Sequence, residues 1–174
     1  MISSFEPCFQ MLLKHEGGYS NIPADLGGMT NLGVTARAWS DFIHADTTEE
    51  EMRALTPNQV RPLYRIKYWN AVRANDLPGG IDYCVFDFAV NSGTPRAART
   101  LQKAVCVMAD GVVGPETIAA CGALDVATVI ADYTTERLKY LASLAGWATF
   151  GKGWLKRVNE VEAAALAMIG GYVA

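Results

Sequence analysis

Two carboxylates and a hydroxyl stand close together near the start of the chain: Glu16, Asp25 and Thr30, all within "KHEGGYSNIPADLGGMTNLGVT" (14–35). Glu16 continues the series Phe5, Phe9 and Leu12 at i, i+4, i+7 and i+11, one face of a helix. A carboxyl on that apolar face should be desolvated, which raises its pKa and suits a general acid near neutral pH. Asp25 follows in polar loop sequence, where water and backbone N–H groups keep a carboxylate ionised. Carboxyls in opposed environments are how acid and base roles are divided in cleaving a glycosidic bond. The Thr30 hydroxyl could hold a water. A plainer reading fits the same residues: a solvated or capping Glu at a helix end and an ordinary turn Asp.

The elements that must position these groups are mostly helical. The first helix should end at Glu16, with Gly17 and Gly18 supplying a left-handed exit. From Tyr19 to Thr35 the Gly, Pro, Asn and Asp content predicts loops or a short hairpin. Thr48 with Glu51, and Thr56-Pro57 with Gln59, are capping-box patterns that start two helices. The second of these should carry "YRIKYWNAV" until "LPGG" breaks it. "IDYCVFDFAVNSG" reads as a buried helix closed by Gly93, and Thr94-Pro95 restarts a helix to about Val107. Pro115 opens a short helix, Val126 to Leu144 a long one, and Trp154 to Ile169 a last one after an interruption at Gly146–Gly153. The fold class is therefore mainly α, with a small β-hairpin or loop region after the first helix. Two lobes are expected, 1–92 and 93–174, packed together with their seam at "NSGTP".

Composition narrows the function classes. The chain has 174 residues, 51% of them apolar, and a net charge of −3 that argues against a nucleic-acid binder. No apolar run is long enough to span a bilayer, so no stable membrane insertion is expected. Its N-terminus lacks a basic stretch and a small-residue cleavage site, so no signal peptide is expected. Cys8, Cys84, Cys106 and Cys121 show no metal-ligand spacing and read as reduced, buried cysteines. Neither a metal nor a cofactor is expected.

The opening stretch resembles the signature of the family 108 glycoside hydrolases, muramidases found as phage endolysins and related bacterial proteins. Its Glu16-Gly17-Gly18-Tyr19 and the run Asp25 through Gly33 match that signature without a gap. The resemblance continues in "YRIKYWNAV" and "FDFAVNSG", and "DGVVGPET" is similar to the helical peptidoglycan-binding segment that accompanies the family. The order of Glu, Asp and Thr is also similar to that of phage lysozymes, which implies an α+β lysozyme-like fold. Eight residues separate Glu16 from Asp25, as in that pattern, and four separate Asp25 from Thr30, one fewer than in it.

This resemblance implies hydrolysis of the β-1,4 bond between N-acetylmuramic acid and N-acetylglucosamine in bacterial peptidoglycan. Glu16 would protonate the leaving oxygen. Asp25, with Thr30, would position or activate water or stabilise the oxocarbenium-like transition state. The carboxyl separation that distinguishes inversion (about 6.5–9.5 Å) from retention (about 5–5.5 Å) is not legible in a sequence; the phage-lysozyme analogy favours inversion. A monomer is expected, made in a bacterial or host cytoplasm and reaching the wall through a holin or secretion machine. Rival readings are a lytic transglycosylase, disfavoured by Asp25 and Thr30, and a wall-binding protein with a degenerate site, disfavoured by the intact carboxylates.

Further candidates for sugar contact are Tyr19, by stacking or its hydroxyl or else as a half-buried packing ring, and Asn31, whose amide suits N-acetyl recognition or equally tying the hairpin together. Trp69, with Tyr68 beside it, could line a cleft or pack inward. Asp87 and Asn91 lie at i and i+4 on an apolar helix and must find partners, whether sugar or protein. His15 and His44 read as surface or packing residues. Lys152, Lys156 and Arg157 beside Trp147, Phe150 and Trp154 read first as a solvated helix face, then as a contact for acidic peptidoglycan stems or membrane.

Overall fold

Phe5, Phe9 and Leu12 form the buried face of the first helix, α1 (Phe5–Leu13), with Cys8 beside them. The structure is a computed structural model and describes residues 4–21 and 28–169. They fall into two units: Phe5–Lys67, and the chain from Tyr68 onward with Ser4.

In the smaller unit the Phe5 and Phe9 rings stack at 5.6 Å, and Phe9 meets Tyr64 at 5.4 Å between centroids. A two-stranded antiparallel hairpin follows α1, with β1 (Thr30–Asn31) against β2 (Val34–Thr35). Thr30 pairs with Thr35 and Asn31 with Val34. Helix α2 (Ala36–Ile43) starts directly on the hairpin, because the Thr35 hydroxyl accepts a hydrogen bond from Ala38 N at 3.1 Å. The sequence reading missed this helix; only Trp39 of it is buried, too short an apolar stripe to show a period. Both expected capping boxes form. Glu51 accepts from Thr48 N at 2.8 Å at the start of α3 (Glu49–Ala54), and Gln59 from Thr56 N at 2.9 Å at the start of α4 (Pro57–Tyr64). The chain then passes through a π-helical turn, Arg65–Trp69.

The larger unit contains a 3₁₀ turn (Ala74–Asp76) and five helices: α5 (Ile81–Ser92), α6 (Thr94–Ala104), α7 (Pro115–Ala123), α8 (Val126–Ala142) and α9 (Trp147–Ala167). Every residue of α5 from Ile81 to Ala89 is buried, against α6, α8 and α9. That packing places residues 92 and 93, the expected seam between lobes, inside this unit. Helix α9 begins seven residues earlier than expected, and its Gly151 lies within it. A Cβ on Gly151 would stand 2.8 Å from the Trp147 ring, so the glycine makes room for the indole one turn away and does not break the helix. Of the four free cysteines, Cys8, Cys84 and Cys121 are buried, while Cys106 departs from expectation by being exposed. No helix among the described residues is long and apolar enough to cross a membrane.

An ion cluster sits at the centre of the larger unit. Asp87, fully buried on α5, is 2.7 Å from the Arg137 guanidinium of α8 and 2.8 Å from that of Arg157 on α9. Arg137 is itself only 2% exposed and lies 4.7 Å above the Phe88 ring. Burial alone would push the Asp87 carboxyl up; the guanidiniums, Arg137 foremost, outweigh it and hold the carboxyl below the usual carboxylate range. Asp87, expected as a candidate for sugar contact, is thus a structural carboxylate tying three helices.

Because the folded pKa is lowered, this pairing contributes fully above the unfolded value of about 3.9 and is lost as pH falls through the folded one. Asp87→Asn removes the carboxylate that Arg137 and Arg157 share, leaving the buried Arg137 guanidinium without that charge, and should cost ~3–5 kcal/mol at neutral pH. The urea-unfolding free energy of the variant should also fall less steeply below about pH 4 than that of the wild type. Parallel acid limbs in the two proteins would refute the assignment.

Candidate active site

Helix α1 does not leave through left-handed glycines. Three successive i→i−3 hydrogen bonds, the last from Glu16 N to Leu13 O at 3.3 Å, tighten its final turn. Neither Gly17 nor Gly18 takes a positive φ, and nothing lies within 4 Å of where either would carry a Cβ. The tightened turn delivers Glu16, half-buried, to the hairpin.

The hairpin turns on two residues, Leu32 (φ +50) and Gly33 (φ +73), both in the left-handed region that a two-residue turn between twisted strands requires. A Cβ on Gly33 would stand 2.5 Å from Glu16 Oε2, 2.9 Å from its carboxyl carbon and 2.6 Å from the Tyr64 hydroxyl. The Glu16 carboxyl therefore lies directly against the bare backbone of the turn, in space that a side chain would fill. Tyr64, buried at the end of α4, donates its hydroxyl to Leu32 O at 2.7 Å and pins the non-glycine half of the turn. Tyr64 was not singled out in the sequence, where "YRIKYW" drew notice to Tyr68 and Trp69. Its signal was a tyrosine on the buried face of a helix, whose hydroxyl must find a partner.

Thr30 sits on the same hairpin, two residues before the turn. Its backbone pairs with Ser20 on one side, N–H to Ser20 O at 2.9 Å, and with Thr35 on the other, while its hydroxyl reaches Gly28 O only at 3.4 Å. Asp25 lies outside the described residues. Tyr19, Thr30, Asn31 and Glu16 all belong to the smaller unit. Tyr19 donates its hydroxyl to Glu49 at 2.9 Å, and the Arg53 guanidinium covers its ring at 4.0 Å. Desolvation first, and then the Glu49 carboxylate, raise the Tyr19 pKa. One face of this ring is therefore already occupied by protein. The Asn31 amide is buried and donates to Met52 O at 2.8 Å and Arg53 O at 3.3 Å, satisfying the carbonyl end of α3. Of the two readings open for Asn31, sugar recognition and tying the hairpin, its N–H₂ serves the second, so the amide is not displayed for sugar.

The remaining candidates lie in the larger unit. Trp69 is completely buried, its indole N–H bonded to Asn75 at 2.9 Å and its ring edge-on to Phe86, so it packs a core and lines no cleft. Asp87 is held by two arginines. Asn91, one turn along, is exposed and accepts from the Ser92 hydroxyl at 3.1 Å, so the two do not work as a pair. Arg157 likewise leaves the expected basic face to reach Asp87. Among the described residues no group of three or more His, Cys, Asp or Glu side chains is placed to hold a metal ion.

The family model described as Glycosyl hydrolase 108 matches residues 9–93, and one described as Predicted Peptidoglycan domain matches 96–159. The structure of Brucella abortus SagA is similar over 98% of each chain, at 38% identity and a TM-score of 0.88. No curated protein matches. The mainly α, lysozyme-like architecture with its small sheet after the first helix is shared with that structure. The chain, with its Glu16 on a bare hairpin turn and a second matched segment for the wall polymer, belongs to the glycosyl hydrolase 108 family of peptidoglycan-acting glycoside hydrolases.

Proposed function

We propose that the protein is an N-acetylmuramidase that hydrolyses the β-1,4 bond between N-acetylmuramic acid and N-acetylglucosamine, with Glu16 as general acid. The observation that carries this reading is the seating of the Glu16 carboxyl against Gly33, within the stretch that matches the family. In the proposed step Glu16 gives its proton to the glycosidic oxygen as the bond from that oxygen to C1 breaks. Water adds to C1 through an oxocarbenium-like transition state, and its proton passes to Asp25. Thr30 holds that water by its hydroxyl. The product carries a new reducing end. By analogy with phage lysozymes the anomeric configuration inverts. The solved relative comes from a bacterium, so we read the chain as a bacterial wall enzyme rather than a phage endolysin, acting as a monomer and reaching the wall by a secretion route.

Glu16→Gln should lower the rate of wall hydrolysis by roughly 10²–10⁴-fold with the melting temperature unchanged. Retention of more than about a tenth of the rate would refute the assignment. Mass spectrometry of the released muropeptides should find reducing ends; 1,6-anhydro ends would make the protein a lytic transglycosylase instead.

A second test addresses the turn. Gly33→Ala would put a methyl carbon where the Glu16 carboxyl lies and a Cβ on a left-handed residue, at ~1–2 kcal/mol for the conformation alone. Activity should fall further than that stability loss explains. Normal turnover by a folded Gly33→Ala protein would show that the carboxyl need not rest on the turn. Thr30→Ala tests the water-holding role directly, and near-normal turnover would assign the water to another group.

A further inference from the structure

Helices α6 and α8 present facing stripes to one open cavity of about 330 Å³. From α6 come Arg96, Arg99, Thr100 and Lys103; from α8 and its end come Glu136, Lys139, Tyr140 and Ser143. Both sets are spaced i, i+3, i+4, i+7, so the cavity is the meeting of two complete helix faces. Four cations and one carboxylate line it, in a chain whose net charge is −3. The one carboxylate, Glu136, is taken by Lys139 at 2.6 Å. Arg96, Arg99 and Lys103 form no salt bridge within 4 Å among the described residues, although the Asp110 carboxylate lies near enough to Arg99 to feel its charge. Two of the three are nevertheless held in place. Arg96 lies 4.2 Å over the Tyr140 ring, and Arg99 donates to Asp110 O at 3.2 Å beside Gly111, whose bare Cα leaves it room.

Three fixed or close cations around a concave surface focus a positive potential that ordinary solvated lysines do not. The guanidinium fork matches carboxylate geometry. All eight lining residues fall within the segment matched as a predicted peptidoglycan domain. The sugar backbone of peptidoglycan offers such a site little charge, whereas its stem peptides carry free carboxylates. We propose that this cavity binds the carboxylates of the peptidoglycan stem peptide, through Arg96, Arg99 and Lys103. The proposal rests on the reading of peptidoglycan as substrate. It adds a separate anchoring site in the larger unit, for the peptide rather than the glycan.

The test uses the full chain carrying Glu16→Gln, so that substrate persists. A synthetic stem tripeptide (alanyl-γ-glutamyl-diaminopimelate) is titrated calorimetrically at low salt into this protein, into the same protein with Arg96→Gln and Lys103→Gln, and into a control with Arg65→Gln and Lys67→Gln. Arg65 and Lys67 are exposed on the π-helical turn, so the control removes the same formal charge elsewhere. Saturable binding that weakens about tenfold or more in the cavity variant, but not in the control, is expected, together with weakening as salt rises. Absence of saturation, unchanged affinity in the cavity variant, or equal weakening in the control overturns the proposal. So does displacement of the tripeptide by inorganic phosphate at lower concentration, which would mark a phosphate site. In the active protein the cavity substitutions should slow digestion of intact peptidoglycan and spare glycan strands stripped of peptides; equal rates on intact wall would also overturn it. If the Glu16→Gln change leaves wall digestion intact, the muramidase reading fails while the peptide titration still decides this one.

Discussion

The smaller unit is organised around a single close approach: a carboxyl resting on a turn at Gly33, where no side chain fits. Leu32 and Gly33 both take positive φ, a conformation that is free for glycine and costs a leucine about 1–2 kcal/mol. Something must hold the leucine there, and the Tyr64 hydroxyl does so through Leu32 O. Tyr64 stands at the end of α4 and packs on Phe9 of α1. The helix that delivers Glu16, the helix that delivers Tyr64 and the hairpin that receives both are thereby fixed by one another. Asn31 adds a fourth element by taking the last carbonyls of α3. Few of these contacts are large in energy. Their effect is positional: they fix where one carboxyl sits.

The larger unit relies on a different constraint. Its central helix α5 is buried along most of its length and still carries a charged group at its middle. Such a group is tolerable only when paired with good geometry, and Asp87 has two guanidiniums at 2.7 and 2.8 Å. A buried ion cluster of this sort need not make the fold more stable than an apolar replacement would. It does make the packing specific, since α8 and α9 must each bring an arginine to the same carboxylate. The smaller unit achieves specificity through backbone geometry and the larger through charge.

Much of this was legible in the sequence for identifiable reasons. The Phe5, Phe9, Leu12 stripe, both capping boxes and the buried α5 follow local rules that tertiary structure did not overturn. Helix α2 escaped notice because a single buried residue sets no period, and the start of α9 was missed because Gly151 reads as a breaker when its purpose is to admit Trp147. At the site, the position of Glu16 could be anticipated from spacing, but its contact with Gly33 could not: that depends on a turn type and on a tyrosine some thirty residues further along. The sugar-binding expectations for Trp69, Asp87 and Asn31 shared one weakness. Aromatic, acidic and amide groups suit ligands and cores equally well, and residue type does not say which way a side chain faces.

Asp82 and Asp87 illustrate what residue type leaves undecided. Both are buried aspartates of α5, five positions apart. Burial pushes the Asp82 carboxyl up, and hydrogen bonds from Ser4, Tyr83 N and Gly80 N offset only part of that, so it stays raised. The Asp87 carboxyl meets at least the same burial and ends lowered, because Arg137 and Arg157 supply full charges rather than dipoles. Raised and lowered values have opposite linkage: the first group gains a proton on folding and disfavours the native state above its unfolded pKa, the second favours it there. Neutral hydrogen bonds thus leave a buried carboxyl able to keep a proton, and guanidiniums take that ability away.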